Sequence, residues 1–240
     1  MSAPSGKIPL MRILAIESST DLLSVAFLAD GLVTEREGER GRSHSDLVLP
    51  LVREALGEAG IDLSALDGIA FGAGPGSFTG LRMACGVAQG LAFGAGLRVL
   101  GVGSLEALAL DAGCEQVYAC VDARMNEAYC AAYRVVRGTV EAVIEPVVAA
   151  PDRAPLPPGA GWQGRGNGFA AYGAALSERF GTNVGNIDAL ALPRASAVAR
   201  LAALRFARGE AVEVAQAAPL YVRDKVALTT AERVARGGKA

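Results

Sequence analysis

The sequence predicts an α/β protein of two related domains, each opening with a β-hairpin sheet. Strand-length apolar runs alternate with helical periodicities, which argues for layers of sheet and helix. A strand that ends in a carboxylate and leads into a polar turn and a hairpin occurs near the start and returns in the second half. Hydrophobic residues make up 51% of the 240 positions, enough for one large core or two smaller ones.

Met1 to Leu10 (MSAPSGKIPL) is small, polar and broken by proline, and is expected to be a disordered leader outside the fold. From Arg12 the order is strand (RILAIE), acidic turn (SSTDL), strand (LSVAFLA), Asp30-Gly31 and strand (LVTERE). Asp-Gly between apolar runs is a hairpin signal. An amphipathic helix (Ser45 to Ala59), a strand (Gly68 to Ala73), a glycine-rich turn, a helix (about Gly80 to Gly94) and a strand (Leu97 to Val102) follow. The next helix, Ser104 to Asp111, has Ser104 as its expected N-cap. The second copy reads QVYACVD, ARMNE, AYCAAYRVV, Arg137-Gly138 and TVEAVI. Hairpins are common, so the recurrence alone leaves both duplication and coincidence open.

Pro151 to Gly168 holds four prolines and five glycines around Trp162 and is expected to be a loop rather than a core element. Helical patterns resume at Phe169 to Arg179 and Ala195 to Arg208, before an extended PLYVRDKV segment and a basic tail. The predicted division is residues 1–10 as leader, 11–112 as the first domain and 113–240 as a smaller second domain. The last helices remain free to pack back on the first domain.

Composition excludes several functions. With 23 basic against 25 acidic side chains and a net charge of −2, nothing supplies the positive excess that a stand-alone nucleic-acid binder needs. His44 is the one histidine, which excludes any site that needs two imidazoles. The four cysteines form no CxxC pair and the N-terminus lacks a signal-peptide layout, so a reducing cytoplasm and no metal or cofactor are expected. The longest uncharged apolar stretch, between Arg82 and Arg98, is shorter than the roughly 18 residues of a bilayer span. A soluble protein without a membrane partner is expected.

The most informative segment is Gly74-Pro75-Gly76-Ser77-Phe78-Thr79-Gly80-Leu81-Arg82, after a strand and opening a helix. Glycines permit a sharp turn, and free amides at a helix start attract anions, so a phosphate cradle is one reading. It lacks the Gly-Lys-Ser/Thr of a P-loop, and Ser77 lacks the flanking glycines of a nucleophile elbow. The other reading is a tight turn with Thr79 as helix cap. Glu17 and Asp122, at equivalent strand ends, are candidates to hold Mg²⁺ in a nucleotide cleft with Gly74 and Gly76, or else are simply solvated. A small-molecule kinase or ATPase using Mg-ATP would need that cleft. A hydrolase on Ser77 or His44 has little else to recruit. Arg194, Arg200, Arg205 and Arg208, with Arg233, Arg236 and Lys239 of the tail, read as a solvated face and end rather than an RNA patch.

Two helices carry more apolar surface than one sheet accounts for. LRMACGVAQGLAFGAG has Arg82 and Gln89 as its only polar side chains and is expected to be buried all round. Gly86, Gly90 and Gly94 form a smooth stripe, each costing about 1 kcal/mol relative to alanine. Close approach of another helix would offset that cost, whether from the same domain or from a partner chain. In the earlier helix, Leu47, Val48, Leu49, Leu51, Val52, Ala55, Leu56 and Ala59 span roughly 200°, about twice a core-facing stripe. Ser43 or Ser45 can cap it, Asp46 lies near its positive end and Pro50 should bend its first turns. His44 is either an interface hydrogen bonder or an exposed polar residue.

MRILAIESST, RSHSDLVLPLV, GPGSFTGLR, GVGSLEALAL, DARMNEAY and PLYVRDKV together resemble the bacterial TsaB family, from Met11 to about Val226. The resemblance implies an actin-like ATPase (ASKHA) fold of two related domains. It also implies a non-catalytic subunit that pairs with TsaD, the transferase that carries threonylcarbamoyl to the tRNA adenosine next to the anticodon. TsaD-type sequences carry a metal-binding histidine pair where this chain reads GVGSLEALAL, so that metal site cannot be built here. An old glycoprotease label for the family meets the same objection. The ATPase TsaE joins the larger complex, tRNA is met through the complex, and a second copy of the chain pairs with it when TsaD is absent. Glu17 stands where many members have aspartate. The implied partner face comprises His44, Ser45, Leu47, Val48, Leu51 and Val52 on one helix, with Phe78, Thr79, Arg82, Met83, Gly86, Val87 and Gly90 on the other. Glu17, Asp122, Gly74 and Gly76 would then mark a vestigial nucleotide cleft.

Overall fold

The computed structural model describes residues 10–223. Most of the predicted leader and the tail residues Arg233, Arg236 and Lys239 lie outside the described residues, as does the end of PLYVRDKV.

The first sheet comprises β1 (Ile13–Glu17), β2 (Ser24–Ala29), β3 (Leu32–Glu37), β4 (Gly68–Gly74) and β5 (Val99–Gly103), in the order β3-β2-β1-β4-β5. β1 to β3 form an antiparallel meander, while β4 and β5 run parallel to β1. The second sheet comprises β6 (Gln116–Asp122), β7 (Ala128–Val136), β8 (Thr139–Ala149), β9 (Trp162–Arg165) and β10 (Val184–Asp188), in the order β10-β9-β6-β7-β8. Strand for strand, this is the first sheet again: a central opening strand, two antiparallel strands to one side and two parallel strands to the other. The hairpin turns match too. Asp30 and Gly31 have φ of 52° and 80°, and Arg137 and Gly138 have 51° and 80°, the pair of positive values a two-residue turn of this hand requires. The recurrence in the sequence is therefore a duplication.

Among the described residues, five α-helices cover the sheets: α1 (His44–Ala59), α2 (Phe78–Ala95), α3 (Ser104–Leu110), α4 (Gly168–Phe180) and α5 (Ala195–Phe206). β1 alternates strictly. Leu14 and Ile16 face α1 and α2, while Ile13 and Ala15 face α5. In the second sheet, Tyr118 and Cys120 face α4, and Val117, Ala119 and Val121 face α3. Each half thus lends its last helix to the other sheet, since α3 covers β6 and β7 while α5 covers β1 and β2. The sheets change between Gly103 and Gln116, and α5 lies on the first sheet rather than with its own half.

Three expectations are corrected. Ser104 is not a cap: Gly103 holds that position, and the Ser104 hydroxyl donates to Glu17 at 2.9 Å. Pro151 to Gly168 is not all loop, because its centre is β9, a four-residue strand that buries Trp162 and anchors the indole N–H on the Pro158 carbonyl at 3.1 Å. α2 is not buried all round, since Gly86, Gly90, Phe93 and Gly94 are exposed. Among the described residues, no helix is long and apolar enough to cross a membrane.

Candidate functional site

The two opening strands point their ends at a cleft of about 370 Å³ between the sheets. Only one of the two predicted carboxylates reaches it. Asp122 lines the cleft, ion-paired to Arg124 at 3.1 Å and accepting a hydrogen bond from the Tyr172 hydroxyl at 2.7 Å. Burial, reinforced by that hydrogen bond to Asp122, pushes the Tyr172 phenol up to about 12. Glu17 instead turns into the first domain, fully buried, where it accepts from the Ser19 amide at 2.6 Å and the Ser104 hydroxyl at 2.9 Å. The bare backbone of β4 makes room for it: a Cβ on Gly72 would lie 1.9 Å from Glu17 Oε2. Burial raises the Glu17 carboxyl above its ordinary range, and the hydrogen bonds from Ser19 and Ser104 only partly oppose this. The pairing of Glu17 with Asp122 around Mg²⁺ is therefore corrected, because the two carboxylates do not converge. Among the described residues, no group of three His, Cys, Asp or Glu side chains could hold a metal.

The glycine-rich turn is occupied by the chain itself. A Cβ on Gly76 would lie 2.4 Å from the Ser19 carbonyl, and one on Gly80 would lie 2.0 Å from that of Ser18. Ser77 N donates to Ser19 O at 2.7 Å, and Ser18 Oγ donates to Gly80 O at 2.8 Å. These glycines serve close packing of two turns, which displaces the phosphate-cradle reading. The cap of α2 is Ser77, accepting from Gly80 N at 3.4 Å, and Thr79 lies inside the first turn. Gly74, at φ 109°, sits beneath Leu220 and Leu81 and does not line the cleft.

The segment from Pro219 to Arg223 straps the cleft. Leu220 N donates to Ala73 O at 2.7 Å on the first domain, and Arg223 bonds Ala123 O at 3.2 Å and Glu127 at 2.6 Å on the second. Between them, Tyr221 accepts from Arg82 Nε at 3.0 Å, and the Arg82 guanidinium lies 3.8 Å from the centre of the Phe78 ring. His44 contacts the Asp21 carbonyl at 3.4 Å, while Ser43 and Ser45 bond each other at 2.7 Å. No hydroxyl is hydrogen-bonded to the imidazole among the described residues, so the hydrolase arrangement is not formed.

The two helices of the expected partner face divide. Val48, Leu51 and Val52 are only 1%, 8% and 3% exposed, packed with Leu14, Val25 and Phe71 in the core of their own domain, and Leu47 is partly covered. Those three are corrected: the sheet takes most of the wide apolar arc, and α1 presents Leu49 outward, 47% exposed. α2 is the open helix. Among the described residues, a Cβ built on Gly86, Gly90 or Gly94 meets nothing within 4 Å, so no helix of the described part of the chain approaches the stripe. Phe93, 81% exposed, sits beside it, and Met83 and Val87 are half-buried. Between α1 and α2, Leu49, Leu56, Ile61, Leu63, Leu91 and Gly94 line a groove of about 1050 Å³. Phe93 escapes the sequence analysis, although spacings of three and seven from Gly90 and Gly86 place it on the glycine face, and Leu49 belongs to the apolar arc in the sequence but not to the implied partner face.

A duplicated sheet topology, a glycine-rich turn packed on the chain's own Ser18 and Ser19, and an open helical face define the class, and comparison with known proteins fits it. The family model described as "TsaD: tRNA N6-adenosine threonylcarbamoyltransferase" matches residues 38–231. The Escherichia coli tRNA threonylcarbamoyladenosine biosynthesis protein TsaB is 37% identical over 90% of this chain and 96% of its own length. The Haemophilus influenzae protein of that name is 35% identical over 90% and 95%. The structure of YeaZ from Pseudomonas aeruginosa is similar at a TM-score of 0.81 and 41% identity, covering 88% of this chain and 99% of that one. A second Pseudomonas aeruginosa structure, described as similar to peptidase YeaZ, has a TM-score of 0.82 at 40% identity, covering 89% and 100%. The fold is the two-domain actin-like type. The chain belongs to the broad threonylcarbamoyltransferase family and, within it, to the TsaB proteins.

Proposed function

We propose that this chain is a subunit of the machinery that makes threonylcarbamoyladenosine in tRNA, acting in the cytoplasm as a non-catalytic partner of the TsaD-type transferase. The observation that carries the reading is the open face of α2. Three glycines that meet nothing among the described residues, beside an exposed phenylalanine and an apolar groove, suit the close approach of helices from another subunit. The bundle would use Met83, Gly86, Val87 and Gly90 with Phe93 of α2, and Leu47 and Leu49 of α1. Thr79 and Arg82 at the start of α2, the latter over the Phe78 ring, with His44 and Ser45 at the start of α1, would form its rim. A second copy of the chain would use the same face when the transferase is absent, and the ATPase TsaE would join only the larger assembly. tRNA would be met through the complex, since the chain carries no basic excess.

The absence of catalysis in this chain is supported by Glu17 being withdrawn from the cleft and the glycine turn being filled by Ser18 and Ser19. The experiment is co-purification with the TsaD-type subunit of the same source, followed by tRNA modification with and without this chain. Modification that needs both subunits supports the reading. Full modification by the transferase alone, or turnover by this chain alone, contradicts it.

A further inference from the structure

α1 and α2 run side by side in the same direction. Their starts share a concavity lined by His44 and Ser45 of α1 and by Thr79 and Met83 of α2. Their ends share the apolar groove, where Arg53 and Gly57 lie across from Gly90 and Gly94. The outer side of α1 carries two opposite charges, Asp46 and Arg53, two turns apart on one face. Both are exposed. The ion pairs around α1 join Arg36 to Glu58 and Arg42 to Glu39, which leaves Asp46 and Arg53 unpaired among the described residues. α2 has no acidic side chain, and from Met83 to Ala95 it carries no charge.

These positions are symmetric. Asp46 and Arg53 are equally far from the bond between Leu49 and Pro50, while Gly86 and Gly90, like Met83 and Phe93, are equally far from Ala88. Both midpoints lie about halfway between the shared concavity and the far end of the shared groove, so they stand at one height along the helix pair. A twofold axis at that height, crossing both helices, lays a second copy antiparallel on the first. Asp46 then faces Arg53 of the second copy and Arg53 faces its Asp46, while glycine meets glycine and Met83 meets Phe93. A twofold axis running along the helices would set α1 on α2 of the second copy, where Arg53 finds no carboxylate.

We propose that Asp46 and Arg53 set the antiparallel register in which this face recognises a second copy of the chain, through two reciprocal ion pairs beside an apolar seam. The inference rests on the proposed use of the face for pairing and names the side chains that select a like partner.

The test is sedimentation equilibrium of the chain alone, with no transferase present. Asp46→Arg sets arginine against arginine twice and Arg53→Asp sets aspartate against aspartate twice, so each should weaken self-association about tenfold or more. The double variant restores both attractions and should return to near the parent's affinity. An equimolar mixture of the two single variants should pair with each other about as tightly as the parent pairs with itself. In about 1 M salt, where charges are screened beyond roughly 3 Å, the single variants should recover part of their loss. Thermal unfolding of each variant reads the fold separately, and these exposed positions should leave the melting temperature nearly unchanged. Self-association that ignores the single reversals, or singles that fail to pair with each other while the double variant also fails, would overturn the proposal. A chain that stays monomeric up to about 0.1 mM would overturn it too, and would leave the face to the transferase-type subunit, whose pairing is read independently by co-purification.

Discussion

Replacing Gly86 and Gly90 by alanine should move stability and pairing in opposite directions. In the single chain, a Cβ at either position meets nothing within 4 Å among the described residues, so the added methyls strain none of those contacts. Glycine inside a helix costs about 1 kcal/mol relative to alanine, so the double variant should gain about 2 kcal/mol. For a chain of this size that is a rise in melting temperature of roughly 4–8 °C. In the complex, the same methyls would hold the neighbouring helix away. Overpacking a close contact costs roughly 1–3 kcal/mol, and each 1.4 kcal/mol is a factor of ten in affinity, so pairing with the transferase should weaken by about fivefold to a hundredfold. Arginine at both positions should abolish pairing and leave the chain folded. Thermal unfolding of the isolated chain and sedimentation of the mixture read the two effects separately. Unchanged pairing by the arginine variant would refute the reasoning, as would destabilisation of the lone chain by alanine.

The burial division within α1 gives a paired test: Leu51→Ala should cost the isolated chain about 2–5 kcal/mol by urea unfolding, as other buried leucines do. Leu49→Ala should leave stability nearly unchanged and weaken pairing instead. Glu17 sets a pH dependence. Its folded-state pKa lies above the ordinary 4.5, so the native chain holds that proton more tightly than the unfolded chain. Stability should therefore fall as pH rises above about 4.5 and level off above the folded-state value. Glu17→Gln can still accept from Ser19 and can donate to Ser104, so its urea midpoint should change less between pH 5 and 8 and lie higher than the parent's at pH 8. A lower midpoint at pH 8 would contradict this. Calorimetry with Mg-ATP should show no micromolar binding by the chain alone, and such binding would favour the actin-like kinase reading.

The elements that were legible in the sequence are those whose periodicity coincides with their burial. β1, β2 and β6 are apolar on successive residues because both faces of each are covered, and the Asp30-Gly31 and Arg137-Gly138 turns announce themselves chemically. β9 was hidden because four residues with a central glycine carry almost no alternation, and β10 because Gly185, Asn186 and Asp188 on an exposed edge look like loop. The cleft misled for a different reason. Carboxylates and glycines have the same letters whether they face a ligand or their own chain, and only the structure shows Glu17 seated over Gly72 and Gly80 pressed on Ser18. The helical arc of α1 was legible in width but not in direction: periodicity located Val48 and Val52 on the apolar side without revealing that their own sheet would claim them.

The central claim is that another subunit covers the open face of α2. Hydroxyl-radical footprinting tests it most directly by comparing the chain alone with the chain saturated by the TsaD-type subunit. The account expects Phe93, Met83 and Leu49 to lose most of their reactivity in the complex, while Leu32 and Leu190, exposed on other elements, keep theirs. A stable complex in which Phe93 and Met83 remain as reactive as in the free chain would contradict it.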